Sequence, residues 1–553
     1  MKIYSQSLNW IKCSQICLIL ILVLKVFKNL KNLDPNKSGG PDNISSRFLK
    51  ETAVQLASIY QHLFTLSYNS GVLPTSWRHA LVCPIFKKGR KDLAENYRPV
   101  SLTSIPCKLF EHIIVSKTWE HLNRYNIITK NQHGFRSGLS CETQLVDALY
   151  DWTEALNRGS GQIDCIVLDF SKAFDVVPHE RLLAKINSYG ITGATSNWIR
   201  SFLSNRTQNV VINGKFSKAS SVTSGVPQGT VLGPLLFLLY INDIGTEIDS
   251  NIRLFADDSA LYREIKSFND VLSLQEDLFK LQEWASKWQM KFNIKKCKTL
   301  RISKRIKNKI NHIYVMKSAT SDPIPLEEIT SDRYLGVILD NKLSFNEHIK
   351  EITKKATNLL NLCRRNLKMC SPKAKEIAYK ALVRPHLEYA SSAWSPYTKR
   401  AIDDIEAVQR RAARFVLGDY NYGPNSHLSL KMSNILKWQS LHHRRASHDL
   451  ALFYKIRSGI CKNTFPDVVK SSPYRPNSYI HVQALHSEVY KNHFYLRSVR
   501  LWNLLPENLR LASSFPVFKS QVEQWIAPLQ WSKANGTWSL SCLLYTSPSP
   551  RDS

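Results

Sequence analysis

The chain has 553 residues, of which 43% are hydrophobic and 22% are charged. These proportions exclude a disordered protein and leave room for several domains with large cores. Lysine and arginine outnumber aspartate and glutamate by 75 to 44, which gives a formal net charge of +31. A surplus of one sign on this scale favours a polyanionic partner, with a generically basic surface as the alternative.

A short apolar run, Ile16 to Leu24, lies near the start of the chain and is followed by lysines. Its nine residues are too few for a membrane span, which needs about 20, and no signal-peptide cleavage site follows. Eleven cysteines are scattered without the paired spacing of a zinc site. We therefore expect reduced thiols in an intracellular protein.

Apolar residues recur at helical spacing along most of the chain. They predict helices over residues 42–68, 108–121, 143–156, 180–189, 197–203, 231–241, 269–288, 348–367, 374–388 and 399–417. Short apolar runs predict strands over 80–86, 165–168 and 334–338. Two hairpins are predicted, one over 208–214 with Asn213-Gly214 as its turn and one from Ile252 to Tyr262.

The second hairpin carries two adjacent carboxylates, Asp257 and Asp258. Side chains alternate between the two faces of a strand, so only a turn lets neighbouring aspartates converge. An Asp-Asp turn by itself is usually a solvated loop. However, a third carboxylate, Asp169, ends the strand 165–168. If the two strands lie side by side, the three carboxylates can hold two Mg²⁺ ions about 4 Å apart, as in-line phosphoryl transfer requires.

Three motifs, in this order, resemble the palm motifs of reverse transcriptases. They are Leu-Asp-Phe-Ser-Lys-Ala-Phe-Asp at 168–175, Ser-Gly-Val-Pro-Gln-Gly at 224–229 and Phe-Ala-Asp-Asp at 255–258. The variant is most similar to the jockey-like and chicken-repeat-like polymerases of non-LTR (LINE-type) retrotransposons. The resemblance implies an α+β right-hand polymerase, with fingers, a palm built on an antiparallel sheet and a thumb, followed by a mostly helical C-terminal region. It also implies an RNA-directed DNA polymerase, which is a nucleotidyltransferase.

The resemblance implies a catalytic and metal-binding set. Asp169, Asp257 and Asp258 are expected to be catalytic and to bind two Mg²⁺ ions, with Phe170 included in the metal-binding set and Mn²⁺ as a substitute ion. Arg98 and either Lys87 or Lys88 are expected to grip the nucleotide triphosphate, because a planar guanidinium and a point charge suit that task. The alternative for the lysines is a solvated basic turn.

Three further residues are expected to contact the nucleotide. Phe174 would lie against the sugar and reject a 2′-hydroxyl, with an ordinary core phenylalanine as the alternative. Gln228 lies in a glycine-bounded loop before a helix, which suits a nucleotide contact. Lys296 or Lys298 would protonate the leaving pyrophosphate.

Nucleic-acid contacts are expected from three other parts of the chain. Arg136 is a candidate for contacting the template or the nucleotide, and Tyr334 and Gly336 lie in a segment that resembles the primer grip. The predicted helix 399–417 carries three arginines, Arg410, Arg411 and Arg414. They could contact phosphates or form a solvated face, and the sequence is equally compatible with both.

The domain organisation follows from the same resemblance. We expect an unrecognised leader (1–21), a lead-in to the fingers (22–74), fingers and palm (75–340), a thumb-like helical region (341–425), a C-terminal helical region (426–530) and a tail (531–553). The tail resembles translated sequencing-adapter sequence, with a Ser/Pro-rich disordered tail as the alternative. Intact elements of this type carry an endonuclease ahead of the polymerase, so the chain is expected to be a fragment.

The expected partners are an RNA template, a DNA primer or target, and deoxynucleoside triphosphates. No membrane and no cofactor besides the metal are expected, and the implied location is a cytoplasmic ribonucleoprotein and the nucleus. The missing endonuclease and the foreign ends favour an alternative, a catalytically dead nucleic-acid-binding remnant. A DNA-templated polymerase is a weaker rival.

Overall fold

The computed structural model describes residues 22–158, 161–303, 309–318, 322–420, 428–473, 477–481, 487–527, 530–534 and 537–541. The predicted leader and the last residues of the predicted tail, 542–553, lie outside the described residues. None of the helices in the described part is long and apolar enough to span a membrane.

Helices and short strands alternate in the first part of the chain, and helices dominate the rest. The helices are α1 (Val23–Lys31), α2 (Ser46–Glu51), α3 (Ala53–Ser70), α4 (Ile105–Arg124), α5 (Cys141–Arg158), α6 (His179–Ser188), α7 (Gly193–Leu203), α8 (Leu232–Ile241), α9 (Phe268–Lys287), α10 (Asn346–Asn366), α11 (Pro372–Ala378), α12 (Arg384–Glu388), α13 (Ser391–Trp394), α14 (Lys399–Leu417), α15 (Leu428–Asn434), α16 (Leu441–Arg457), α17 (Glu488–Lys491), α18 (Phe494–Leu504), α19 (Glu507–Arg510) and α20 (Phe515–Ile526). The strands are β1 (His79–Phe86), β2 (Tyr97–Leu102), β3 (Gln162–Leu168), β4 (Arg206–Ile212), β5 (Lys215–Phe216), β6 (Ser220–Val222), β7 (Asn251–Phe255), β8 (Asp258–Glu264), β9 (Lys298–Ser303), β10 (Val315–Met316), β11 (Ile324–Pro325), β12 (Glu327–Ile329), β13 (Ser331–Tyr334), β14 (Val337–Asp340), β15 (Val469–Ser471), β16 (Tyr479–His481), β17 (Gln530–Ala534) and β18 (Thr537–Ser541). This mixture confirms a fold of both helices and sheets.

The central sheet has five strands in the order β12-β9-β3-β8-β7. Only β12 and β9 are parallel within it, and the other neighbours are antiparallel. Because side chains alternate along a strand, Ile166 and Leu168 of β3 face the core that contains α8, whereas Ile163 and Cys165 face α5. The middle strand is therefore buried on both faces, as its continuous apolar run predicts.

A second sheet joins β2, β1 and β4, with β5 and β6 both paired to β4. Strands β1 and β2 are antiparallel, whereas β1 and β4 are parallel. The predicted hairpin over 208–214 is confirmed, because Asn213 and Gly214 connect β4 to β5 with φ angles of 49° and 77°. Positive φ at both turn positions matches the right-handed twist of the strands.

Two predicted helices are interrupted. The predicted helix 42–68 is divided into α2 and α3 at Thr52, whose hydroxyl donates to the carbonyl of Phe48 at 2.6 Å and so competes with the helical main chain. The predicted helix 374–388 is divided by a π-helical turn, Tyr379–Val383. Pro385 lies just beyond it and lacks the N–H that an α-helix would direct to the carbonyl of Ala381.

The predicted strand 334–338 is wrong, because the chain turns back at Leu335 and Gly336. Tyr334 pairs with Val337, and the two residues between them have φ angles of 47° and 87°. A side chain at Gly336 would place its Cβ 2.9 Å from the ring of Tyr389. This close approach explains the glycine, and the segment is a hairpin formed by β13 and β14.

The C-terminal helices have their own core but pack against α5. Phe453, Trp502 and Phe518 are buried in that core together with Val146 of α5. Asn463 donates to the carboxylate of Asp147 on α5 at 2.7 Å. The C-terminal helices are therefore attached to the helix that covers one face of the central sheet.

Candidate active site

The predicted hairpin with two carboxylates is confirmed. Strands β7 and β8 pair up to Phe255 and Asp258, and Ala256 and Asp257 form the connection. Ala256 has a φ of 54°, which lies in the left-handed region. Asp257 is therefore in the turn and Asp258 is the first residue of β8, so both carboxylates lie at one end of the central sheet.

The third carboxylate lies at the same end. Leu168 of β3 pairs with Ser259 of β8 in antiparallel register. Asp169 follows Leu168, and Asp258 precedes Ser259, so the register sets the two aspartates opposite each other. The prediction that the two strands lie side by side is confirmed.

The two carboxyl groups of the hairpin have raised pKa values. Partial burial in the cleft, followed by the charges of Asp257 and Asp169, raises the pKa of Asp258 to about 6. Burial, and then the charge of Asp169, also raises the pKa of Asp257. The positive charges of Lys87 and Arg98 partly offset this rise, because they lower both pKa values. The hairpin thus concentrates negative charge beside two basic side chains.

The donor set fits a hard divalent cation. In the part of the chain that the structure describes, no three Asp, Glu, His or Cys side chains already surround a common metal position. Instead, Lys296 Nζ donates to Asp169 Oδ2 at 3.1 Å. Repelling carboxylates that keep access to solvent are nevertheless the oxygen ligands that Mg²⁺ uses together with water and phosphate.

Phe170 and Phe174 flank Asp169 in the chain and have different surroundings. The side chain of Phe170 is buried and stacks on Phe292 with 4.4 Å between ring centroids, so only its main chain could face a metal. Phe174 stacks on Phe237 at 4.3 Å and meets the edge of Phe135 at 6.4 Å. Phe174 is only partly buried, which leaves part of its ring accessible.

The glycine-bounded loop 224–229 packs directly on the segment after Asp169. A Cβ on Gly225 would lie 2.6 Å from the carbonyl oxygen of Asp175. Gln228 Nε2 donates to Asp175 Oδ1 at 3.1 Å, and the main-chain N–H of Val226 donates to the carbonyl of Phe174 at 2.7 Å. The loop therefore holds Gln228 beside the predicted sugar-contacting residue.

Basic residues approach the carboxylates from two directions. Lys87 follows β1, and Arg98 lies on β2 opposite Ile85; both side chains are exposed. From the other direction, Lys296 contacts Asp169, whereas Lys298 lies 3.9 Å from Glu327. Of the two lysines considered from the sequence, Lys296 is the one at the site.

Other predicted contact residues lie elsewhere. Arg136 Nη1 donates to the carbonyls of Thr129 and Gln132 at 2.8 and 3.0 Å, so it stabilises its own loop. Tyr334 is only 4% exposed, and Gln144 donates to its hydroxyl. The Tyr334 side chain is therefore buried, whereas Gly336 in the adjacent turn is exposed, and a nucleic-acid contact by this segment stays a prediction.

The three arginines of α14 point in different directions. Arg411 donates to Thr357 of α10 at 3.2 Å and lines a groove of about 740 Å³ between the two helices. Arg410 lies 3.5 Å from the carbonyl of Asp403, and Arg414 is half-buried. Of the three, Arg411 lines the groove, which also contains Lys350 and Lys354.

One residue at the site was missed by sequence reasoning. Gln132 Oε1 accepts a hydrogen bond from the main-chain N–H of Ala256 at 2.9 Å. Gln132 belongs to the same motif as Arg136, but no local pattern signals a contact with a turn more than a hundred residues away.

Comparison with known proteins defines the class. Residues 85–339 match the family described as "Reverse transcriptase (RNA-dependent DNA polymerase)". This part of the chain is therefore a reverse transcriptase domain, and it contains the three carboxylates, Lys87, Arg98 and the loop 224–229.

The relatives are polymerases of mobile elements. The chain is 28% identical over 468 residues to "Probable RNA-directed DNA polymerase from transposon BS" of Drosophila melanogaster. The matched region covers 79% of this chain and 49% of that relative. The chain is 27% identical over 429 residues to the corresponding protein from transposon X-element of the same species (74% and 46%). It is also 28% identical over 413 residues to "RNA-directed DNA polymerase from mobile element jockey" of that species (72% and 44%). The chain spans about half the length of these relatives. The resemblance to non-LTR retrotransposon reverse transcriptases is confirmed.

Proposed function

We propose that the chain is an RNA-directed DNA polymerase that extends a DNA 3′-hydroxyl on an RNA template by two-metal nucleotidyl transfer. The observation that carries the proposal is the register between β3 and β8, which sets Asp169 opposite Asp258 and next to Asp257. Burial, and then the charges of Asp257 and Asp169, raise the pKa of Asp258, and a bound cation would offset both the burial and the repulsion.

In the proposed reaction the primer 3′-oxygen attacks the α-phosphorus of the incoming nucleotide, and the bond from that phosphorus to pyrophosphate breaks. Asp169, Asp257 and Asp258 would hold two Mg²⁺ ions, or Mn²⁺, which when bound acidify the 3′-hydroxyl and neutralise the phosphates. Lys87 and Arg98 supply positive charge to the triphosphate from the side of the β1–β2 sheet.

Lys296 and Phe174 have complementary proposed roles. Lys296, held by Asp169, donates a proton to the leaving pyrophosphate. Phe174, supported by its stack on Phe237, presents its ring edge to the sugar and excludes a 2′-hydroxyl. Gln228 contacts the same nucleotide.

The right-hand arrangement is proposed on the same basis. Residues 22–74 and the β1–β2 sheet correspond to the fingers, the central sheet to the palm, and α10 to α14 to the thumb. The groove between α10 and α14 is lined by Lys350, Lys354 and Arg411, which would follow the backbone of an RNA–DNA hybrid with little sequence preference. Such a polymerase would work in a cytoplasmic ribonucleoprotein and in the nucleus.

The test is primer extension on an RNA template with deoxynucleotides and Mg²⁺. We expect the wild-type chain to extend the primer. We expect Asp257→Asn/Asp258→Asn to lose extension and to retain RNA binding. The control Glu276→Gln/Glu283→Gln removes two exposed carboxylates from α9 and should leave extension unchanged. A folded wild-type chain that binds RNA but extends no primer would favour the nucleic-acid-binding remnant.

A further inference from the structure

We propose that Gln132 is a positioning residue that fixes the turn carrying Asp257 and Asp258. Its Oε1 accepts from the main-chain N–H of Ala256 at 2.9 Å and from that of Gly134 at 2.8 Å. One side chain thus ties the catalytic hairpin to the segment 131–134. The inference rests on the proposed polymerase function, since positioning matters only if these carboxylates react.

The turn needs an external partner because of its conformation. Ala256 has a φ of 54°, a region that residues with a Cβ rarely adopt. The hairpin closes with the pair Phe255 and Asp258, and the N–H of Ala256 is satisfied by Gln132 rather than by the hairpin. A buried main-chain N–H without a partner is unfavourable, so Gln132 favours this turn over other conformations.

The main chain around Gln132 is itself held against the hairpin. The N–H of Leu254 donates to the carbonyl of Asn131, and the N–H of His133 donates to the carbonyl of Leu254, both at 2.9 Å. Segment 131–134 therefore adds a short parallel pairing to the free edge of β7. A Cβ on Gly134 would lie 2.5 Å from the nitrogen of Ala256, so only glycine permits this approach.

The positioning of the turn depends on the acceptor atom of Gln132, Oε1. Gln132 is 2% exposed, and its Nε2 has no hydrogen-bond partner among the described residues. Protonated glutamate keeps the acceptor carbonyl oxygen and places a hydroxyl where the unpartnered amide nitrogen stands. Methionine has a similar length and lacks the acceptor. These two substitutions therefore separate the hydrogen bond from the filling of space.

A matched control exists in α9. Gln275 is also buried, and its Oε1 accepts from the main-chain N–H of Val315 at 2.8 Å while its Nε2 donates to the Val315 carbonyl. The contact anchors β10, away from the catalytic hairpin. Gln275→Met therefore removes the same kind of hydrogen bond without touching the turn.

The experiment measures single-nucleotide incorporation and amide hydrogen exchange on the full chain. In Gln132→Met we expect kcat to fall about tenfold, as loss of one buried hydrogen-bond acceptor allows, with KM for the nucleotide within about twofold. Gln132→Glu should recover most of this loss at a pH low enough to keep its buried carboxyl protonated, and Gln275→Met should keep kcat within about twofold. The Ala256 amide should exchange faster in Gln132→Met alone.

The two readouts distinguish the possible failures. The wild-type chain could incorporate no nucleotide and still protect the Ala256 amide through Gln132. That result would refute the proposed function and leave the hydrogen bond confirmed. An unchanged kcat in Gln132→Met, or a loss no larger than in Gln275→Met, would refute the positioning role. Unchanged exchange at Ala256 would do the same.

Discussion

Replacing Asp258 with asparagine should stabilise the metal-free protein while abolishing polymerisation. Burial and the neighbouring charges of Asp257 and Asp169 raise the pKa of Asp258 from 3.8 to about 6. A carboxyl with a raised pKa favours the folded state only when protonated. Its ionisation therefore removes stability as the pH rises from 3.8 through 6, and asparagine avoids that loss.

The size of the effect follows from the pKa. A rise from 3.8 to about 6 corresponds to about 3 kcal/mol, at about 1.4 kcal/mol for each pH unit. The Asp258 side chain remains accessible to solvent, so screening reduces this value, and we expect about 1 kcal/mol. The gain in free energy of unfolding should be complete above about pH 7 and should shrink steadily as the pH falls from about 6 towards 4.

Urea unfolding followed by tryptophan fluorescence measures this difference across the pH range. Added Mg²⁺ should stabilise the wild-type chain more than Asp258→Asn, because the ion binds the folded carboxylates. Asp92→Asn is a control in which the change in free energy of unfolding should have the opposite sign, because a hydrogen bond from Arg90 lowers the pKa of Asp92. An Asp258→Asn gain that is independent of pH, or a loss of stability at neutral pH, would refute the electrostatic reasoning.

Three further substitutions test other parts of the structure. Phe174→Ala should raise ribonucleotide incorporation relative to deoxynucleotides at least about tenfold in competition assays, and an unchanged ratio would make Phe174 an ordinary core residue. Lys296→Ala should lower kcat about tenfold with RNA affinity retained, because the cation beside Asp169 is lost; equal losses of kcat and RNA affinity would contradict a role in proton transfer. Asn463→Ala should lower the free energy of unfolding by about 1–2 kcal/mol in urea, since Asp147 loses a hydrogen bond; an unchanged value would mean that the C-terminal helices dock without it.

Short-range patterns were enough for much of the fold. The helix over 399–417 has the predicted bounds, and the turn at Asn213-Gly214 is where the dipeptide places it. The Asp257 hairpin and its neighbouring strand were also predictable. In each case residues close in sequence carry the signal: apolar periodicity, a turn dipeptide, or a charged pair bounded by apolar runs.

The errors arise where distant residues decide the conformation. Leu335 is an unfavourable residue for a left-handed turn, so the local pattern predicted a strand. The hydroxyl of Tyr389 donates to the Leu335 carbonyl at 3.0 Å and its ring lies over Gly336, which stabilises the turn. The choice between Lys296 and Lys298 was open for a similar reason, because sequence does not give the direction of each side chain.

Gln132 shows the same limit at the site itself. Its partner Ala256 is 124 residues away, and the contact depends on how segment 131–134 meets the edge of β7. The motif around Arg136 indicated a functional segment, but nothing in it pointed to Gln132. Side-chain hydrogen bonds to a distant main chain have no local pattern by which they could be predicted.

The most direct test of the central claim is single-turnover incorporation of one deoxynucleotide on an RNA template, with the wild-type chain and Asp169→Asn side by side. The proposed mechanism predicts incorporation by the wild type and a loss of at least about a thousandfold in Asp169→Asn, with RNA affinity unchanged. Equal incorporation by the two proteins would contradict the assignment of Asp169, and with it the carboxylate site at the end of the central sheet.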